Sequence, residues 1–233
     1  MAEPRIVSRE EWLKAQRTHL AREKELTRLR DQIAAERRAL PWERVDKAYS
    51  FEGPEGRVGL ADLFGSLSQL IVYHFMLGPD WKEGCPSCSF WADNYDGIDV
   101  HLAHRDTALV AISRAPLASI EAYRKRMGWT FRWVSSLGSD FNYDFAVSFD
   151  PAKRVEGAAN YNFGTSSFGG EEAPGISVFR RGADGAVYHT YSTYGRGLEM
   201  ANGTYHMLDL TSKGRDESGL PWPMAWVRRH DQY

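Results

Sequence analysis

The chain carries two cysteines, Cys85 and Cys88, in the stretch Gly84-Cys85-Pro86-Ser87-Cys88-Ser89-Phe90-Trp91. Proline suits a first helical turn, so the spacing predicts a helix opening at Pro86. Backbone N–H groups at a helix start are unpaired, and with the helix dipole they favour negative charge there. A cysteine so placed has a lowered pKa and carries more thiolate at neutral pH. Cys88, one turn on, faces the same side. The chemistry this pattern points to is dithiol–disulfide exchange. Cys85 attacks a partner disulfide, and Cys88 then displaces the partner from Cys85. Trp81, Pro86 and Ser87 are the neighbours expected to shape such a site.

Other chemistries compete for the same residues. A structural zinc site takes four ligands, and the cysteine pair supplies half. His74, His101 and His104 could complete it, and His101-Leu-Ala-His104 would put two imidazoles on one helical face. Their spacing from the pair is long, so no metal is expected. His74, within an apolar run, is expected in the core or cleft and would tune the thiol only by facing the pair. Arg114 follows an expected strand, at the strand end where α/β sites form. It would either favour the thiolate or serve as a surface ion-pair partner. Pro174 is by default an ordinary turn proline. Gly164–Gly170 lacks the lysine and the glycine spacing of a phosphate loop, and no Gly-x-Ser-x-Gly elbow is present. No organic cofactor is expected.

At 233 residues the chain can bury a sizeable core by itself. A net charge of −2 gives no reason to expect nucleic acid as partner. No apolar run reaches membrane-spanning length. The start, Met1-Ala2-Glu3-Pro4-Arg5, lacks an apolar secretory region, so a cytoplasmic location is expected. Two cysteines in so long a chain do not make a disulfide framework.

The elements that must position the pair follow in order. Ser8 and Glu11 form a capping box at the head of a charged helical stretch that Pro41 ends. Its thin apolar stripe (Trp12, Leu20, Leu26, Leu29, Ile33) predicts an arm packed on its own domain or on a second copy, which leaves a homodimer open. Residues 47–60 read as a hairpin around Gly53-Pro54-Glu55-Gly56, and Asp62 as the cap of a short helix. Gln69–Leu77 and Thr107–Ser113 read as strands buried on both faces. Ser119–Met127 reads as a helix closed by Gly128, and Thr130–Ser135 as a strand. Asn160–Gly170 reads as a loop or lid. Ile176–Arg180 and Ala186–Tyr191 form a hairpin turning at Asp184-Gly185. Strand, helix, strand, helix, strand predicts an α/β layer fold with right-handed crossovers.

The motif around the pair, with His101-Leu-Ala-His104-Arg105-Asp106, Ser113-Arg114-Ala115-Pro116, Arg126-Met127-Gly128-Trp129, Phe141-Asn142-Tyr143-Asp144 and Tyr188-His189-Thr190-Tyr191-Ser192-Thr193-Tyr194-Gly195-Arg196-Gly197, resembles a bacterial thioredoxin-like family of unknown function. Its members are often labelled predicted dithiol-disulfide oxidoreductases. The resemblance implies a central mixed β-sheet flanked by helices. It implies an N-terminal helical arm over 1–44, a thioredoxin-like domain over 45–192 with an insertion near 136–172, and a C-terminal extension over 193–233. Cys85 falls on the attacking cysteine, Cys88 on the resolving one, and Pro174 on the cis-proline position. Gly59–Phe64 resembles a peroxiredoxin-type extension. The partners implied are a protein or small-molecule disulfide and an external thiol reductant. Gly84 stands where thioredoxins carry tryptophan, and Gly78 and Trp81 break the peroxiredoxin pattern ahead of its cysteine. Thiol peroxidase chemistry at Cys85 and a non-catalytic binding or structural role are the alternatives.

Overall fold

The structure, a computed structural model, describes residues 5–153 and 159–233. Met1–Pro4 and residues 154–158, inside the expected insertion, lie outside the described residues. The chain divides into two compact units, Met1–Pro41 and Trp42–Tyr233.

The first unit is one helix, α1 (Arg9–Arg38). Ser8 caps it: its hydroxyl accepts from the Glu11 N–H at 3.2 Å, and the Glu11 carboxylate accepts from the Ser8 N–H at 3.2 Å. Basic Arg37 and Arg38 in the last turn complement the carbonyl end. A lone helix has nothing of its own to bury an apolar stripe against, and none of its residues is buried.

In the second unit come β1 (Glu43–Arg44), β2 (Ser50–Gly53), β3 (Gly56–Gly59) and β4 (Gln69–His74). Next are α2 (Pro86–Ala92), α3 (Asp99–Ala103), β5 (Thr107–Ser113), α4 (Leu117–Met127) and β6 (Arg132–Ser135). Then α5 (Phe141–Asp144), β7 (Ala159–Tyr161), β8 (Ser166–Phe168), β9 (Gly175–Arg181), β10 (Val187–Tyr194) and α6 (Gly203–Asp209) complete the regular elements. The main sheet has the order β1-β10-β9-β4-β5-β6-β2-β3. β4, β5 and β6 are parallel, whereas β9 runs antiparallel to β4. The fold is thus a thioredoxin-like mixed sheet with helices on its faces.

Strand alternation separates two cores. Leu70 and Val72 of β4, Val110 and Ile112 of β5 and Val134 of β6 pack with Leu63, Phe64, Phe141 and Phe179 on one face. Tyr73, Ala111 and Trp133 point to the other, against Cys88, Phe90 and Trp91 of α2 and Ile120, Tyr123 and Met127 of α4. Burial on both faces is why β4, β5 and β6 carry polar residues only at their ends.

Two expectations are corrected. Asp62 does not sit ahead of a helix: it lies inside a 3-10 turn, Leu60–Phe64, and reaches back to accept from the Gly59 N–H at 2.7 Å. Asn160–Gly170 contains part of a small antiparallel pair, β7 with β8, rather than an unstructured lid. Tyr161 is the reason: its ring is buried against Phe149, Phe168 and Tyr194.

Candidate active site

The pair sits where β4 hands over to α2. The Cys85 N–H donates to the Met76 carbonyl at 3.1 Å, which pins the helix start to the chain leaving β4. Gly84 makes this approach feasible. A Cβ there would lie 2.6 Å from the rings of both Phe75 and Tyr123, so a tryptophan is excluded by packing. Ser89 fixes the first turn, donating to the Cys85 carbonyl at 2.9 Å and hydrogen-bonding the Tyr123 hydroxyl at 2.8 Å. From the C-terminal segment, Arg229 donates to the Gly84 carbonyl at 2.7 and 3.2 Å and pairs with Glu83 at 3.0 Å.

The two thiols are free and differ in environment. Cys85 is half-buried, and its pKa falls from about 9 to about 6. The largest cause is a hydrogen bond from the Cys88 thiol; backbone N–H groups of Cys88 and Ser87 and the Ser87 hydroxyl add to it, against the cost of desolvation. α2 is seven residues long, so these local donors rather than a long helix dipole carry the effect. Cys88 is 2% exposed, and burial pushes its pKa up. The arrangement therefore holds one thiolate at neutral pH with a protonated sulfur directly behind it. Tyr73, buried beneath, donates to the Cys88 carbonyl at 3.1 Å.

Both cysteines line a cleft of about 540 Å³, Cys85 half-exposed to it and Cys88 buried behind. Tyr73, Met76, Ser87, Trp91 and Pro174 line it beside the pair. Residues following β10 supply the opposite wall: Leu198, Glu199, Tyr205, Arg215, Glu217 and Met224 among them. The arginines in this wall are paired with carboxylates, Arg196 and Arg215 both with Glu199, whereas Glu217 is held by uncharged donors. Arg215 bonds Asp209 at 2.9 Å through two nitrogens, bonds Glu199 at 3.0 Å, and stacks 3.9 Å from the Tyr205 ring centroid. One Glu217 oxygen accepts from the Tyr205 hydroxyl, the Met224 N–H and the Trp226 indole at 2.7–3.0 Å.

The sequence-predicted neighbours are thus divided. Pro86 occupies the first turn of α2, and Ser87 and Pro174 join the cysteines at the cleft. The peptide before Pro174 is trans, which corrects the cis assignment implied by the resemblance. Trp81 instead packs back over Gly78, where a Cβ would lie 2.8 Å from its indole nitrogen, and does not line the cleft. His74 faces the opposite core. Its ring stacks on Phe141 and Phe145, Nε2 meets the Ser177 hydroxyl at 2.8 Å, and burial lowers its pKa to about 3. As a neighbour of Tyr73 on one strand, it cannot share Tyr73's face. Arg114 pairs with buried Glu172 at 2.8 Å and lies over the Tyr143 ring, away from the thiols. His101 and His104 are exposed in and beside α3. Among the described residues no cluster of three or more histidine, cysteine or acidic side chains is placed to hold a metal.

Sequence reasoning missed Tyr73, Met76, Trp91, Leu198, Tyr205 and Met224 as cleft residues. Arg196, Arg215 and Glu217, which the sequence leaves between ion pairing and lining a cleft, all line it, and Arg196 and Arg215 also pair with Glu199.

Among solved structures, the chain is similar to peroxidoxin BcpB from Mycobacterium tuberculosis (13% identity, TM-score 0.48, covering 73% of this chain and 97% of that one). It is also similar to a mutant of Xanthomonas campestris peroxiredoxin Q (12%, 0.46, 72% and 98%). A third likeness is to the mitochondrial 2-cys peroxiredoxin from Plasmodium falciparum (15%, 0.44, 77% and 98%). At these identities and scores none assigns a reaction or a residue role to this chain. No curated protein matches it. Over residues 1–233 the chain matches the family described as "Bacterial protein of unknown function (DUF899)", and it belongs to that family.

Proposed function

We propose that the protein is a thiol–disulfide oxidoreductase in which Cys85 attacks and Cys88 resolves. The observation that carries this reading is the asymmetry of the pair. The sulfur with access to the cleft is the one held as thiolate, and the buried one keeps its proton. Exchange needs that order, because the thiolate is the nucleophile and the second thiol must wait until a mixed disulfide exists. An external thiol reductant then regenerates the dithiol.

The test is capture of the intermediate. In a Cys88→Ser protein, a disulfide substrate should leave a stable adduct on Cys85, visible by mass spectrometry. The wild type should instead release two thiols and form the Cys85–Cys88 disulfide. Absence of any adduct on Cys85 refutes the reading.

A second reading, thiol peroxidase, is favoured by one observation: the thiolate opens into a cleft that would accept an organic hydroperoxide. Attack on the peroxide would give a sulfenic acid on Cys85, which Cys88 would condense to the same disulfide with loss of water. Peroxide-dependent oxidation of the pair, with disulfides inert, would select it.

A further inference from the structure

We propose that the substrate of this cleft is a small, uncharged disulfide with apolar substituents, and that protein disulfides and charged peptide disulfides are excluded. The proposal rests on the exchange reading above and adds the substrate class.

The first argument concerns backbone. A polypeptide substrate docks on a dithiol site by adding an extended strand, which needs unpaired N–H and C=O groups beside the sulfurs. Here the chain entering Pro174 is already committed. The Ala173 N–H donates to the Val147 carbonyl at 2.8 Å, and the Phe149 N–H donates to the Glu171 carbonyl at 3.0 Å. The Pro174 carbonyl accepts from the Tyr161 hydroxyl, and proline itself has no N–H to offer. From Gly175 on, β9 is paired on both sides, with β4 and with β10. Among the described residues, none of these groups beside Pro174 is left for a peptide.

The second argument concerns the walls. A volume of about 540 Å³ suits a small molecule. Trp91, Leu198, Met76 and Met224 offer apolar contact. The arginines of the far wall are paired with carboxylates, Arg215 with Glu199 and Asp209 and Arg196 with Glu199, and one oxygen of Glu217 is already filled by three uncharged donors. A charged substituent entering the cleft would lose water: an anionic one would meet arginines already paired, and a cationic one would have to compete with the three donors that hold Glu217. An apolar one would lose only unfavourable hydration.

The reaction balances as follows. The Cys85 thiolate attacks one sulfur of R–S–S–R, forming Cys85–S–S–R and releasing RS⁻, which takes a proton. Cys88 gives up its proton and attacks the Cys85 sulfur. The Cys85–Cys88 disulfide forms and a second RS⁻ leaves to be protonated. The substrate gains two electrons from the pair and two protons, one from the Cys88 thiol and one from solvent. An external dithiol, dithiothreitol in the assay, restores the pair.

The test measures oxidation of the reduced full-length protein by dipropyl disulfide, cystamine, glutathione disulfide and insulin, each rate divided by that of the same disulfide with dithiothreitol. Dipropyl disulfide should exceed the two charged small disulfides by about tenfold or more, the discrimination an apolar pocket typically achieves. Insulin should not be reduced. Met224→Glu places a carboxylate in the wall at an unchanged backbone conformation. It should raise KM for dipropyl disulfide several-fold and narrow the gap to cationic cystamine. Catalytic reduction of insulin, or equal normalised rates for charged and uncharged disulfides, overturns the substrate class while leaving exchange intact. Failure of every disulfide to oxidise the pair overturns both, which separates the two failures.

Discussion

Replacing Cys88 by alanine removes the largest influence on Cys85 and nothing else in the first turn. The Cys88 thiol heads the causes that bring Cys85 to about 6. A hydrogen bond to a charged group contributes roughly 1.5–3 kcal/mol, and each pH unit corresponds to about 1.4 kcal/mol. Cys88→Ala should therefore raise the Cys85 pKa to roughly 7–8, the N–H groups of positions 87 and 88 holding it below the ordinary value. Cys88→Ser keeps a donor and should titrate close to the wild type. The assay is the rate of Cys85 alkylation by iodoacetamide against pH, and acid pH gives the larger contrast. At pH 7 a thiol with pKa about 6 is roughly four-fold richer in thiolate than a variant at about 7.5. Lower basicity reduces intrinsic nucleophilicity by about five-fold, leaving no net gain. At pH 5 the thiolate ratio grows to about thirty, so the net gain is about six-fold. If Cys88→Ala and wild type titrate together, the inter-thiol hydrogen bond does not set the reactivity of Cys85, and the reasoning is refuted.

Three further outcomes are expected. Gly84→Ala drives a methyl into Phe75 and Tyr123. It should cost about 1–3 kcal/mol, a fall in Tm of about 2–4 °C for each kcal/mol; an unchanged Tm would contradict the close packing. Arg114→Ala leaves Glu172, 2% exposed, without its partner. It should destabilise by about 3–5 kcal/mol at neutral pH, and less in acid, where the carboxyl, already raised by burial, takes up a proton. Alkylation of Cys85 should not change, which denaturant melts and thiol kinetics on one sample can check. His74 binds a proton less readily when folded than unfolded, so stability should fall as pH drops from about 6.5 toward about 3. The slope contributed is at most about 1.4 kcal/mol per pH unit, and His74→Gln should flatten it; an unaltered acid slope would exclude burial of a neutral imidazole.

The parts of the fold that were legible are those where local pattern and tertiary burial agree. β5 is a continuous apolar run covered on both faces, and its bounds match the run. The start of α2 follows from Pro86, and the end of α4 from Gly128 at a positive φ of 68°. The cleft wall was not legible, because 195–224 is largely irregular and its contributors obey no period. Met224, for instance, sits at a φ of 69° that no sequence rule assigns to methionine. Arg114 finds Glu172 across 58 residues, a pairing with no local signal. His74 could have been placed: if Tyr73 supports the pair, strand alternation sends its neighbour to the other face.

Arg229 holds the carbonyl of Gly84 across 145 positions of chain. Closing so long a loop is entropically the slowest kind of contact to make. The seat of Gly84 and the cleft wall contributed by residues 198–224 are therefore expected to form late, whereas the donors to Cys85 lie within three positions of it and are in place once the first turn of α2 forms. A half-folded chain would then carry its reactive sulfur before the wall that selects what reaches it.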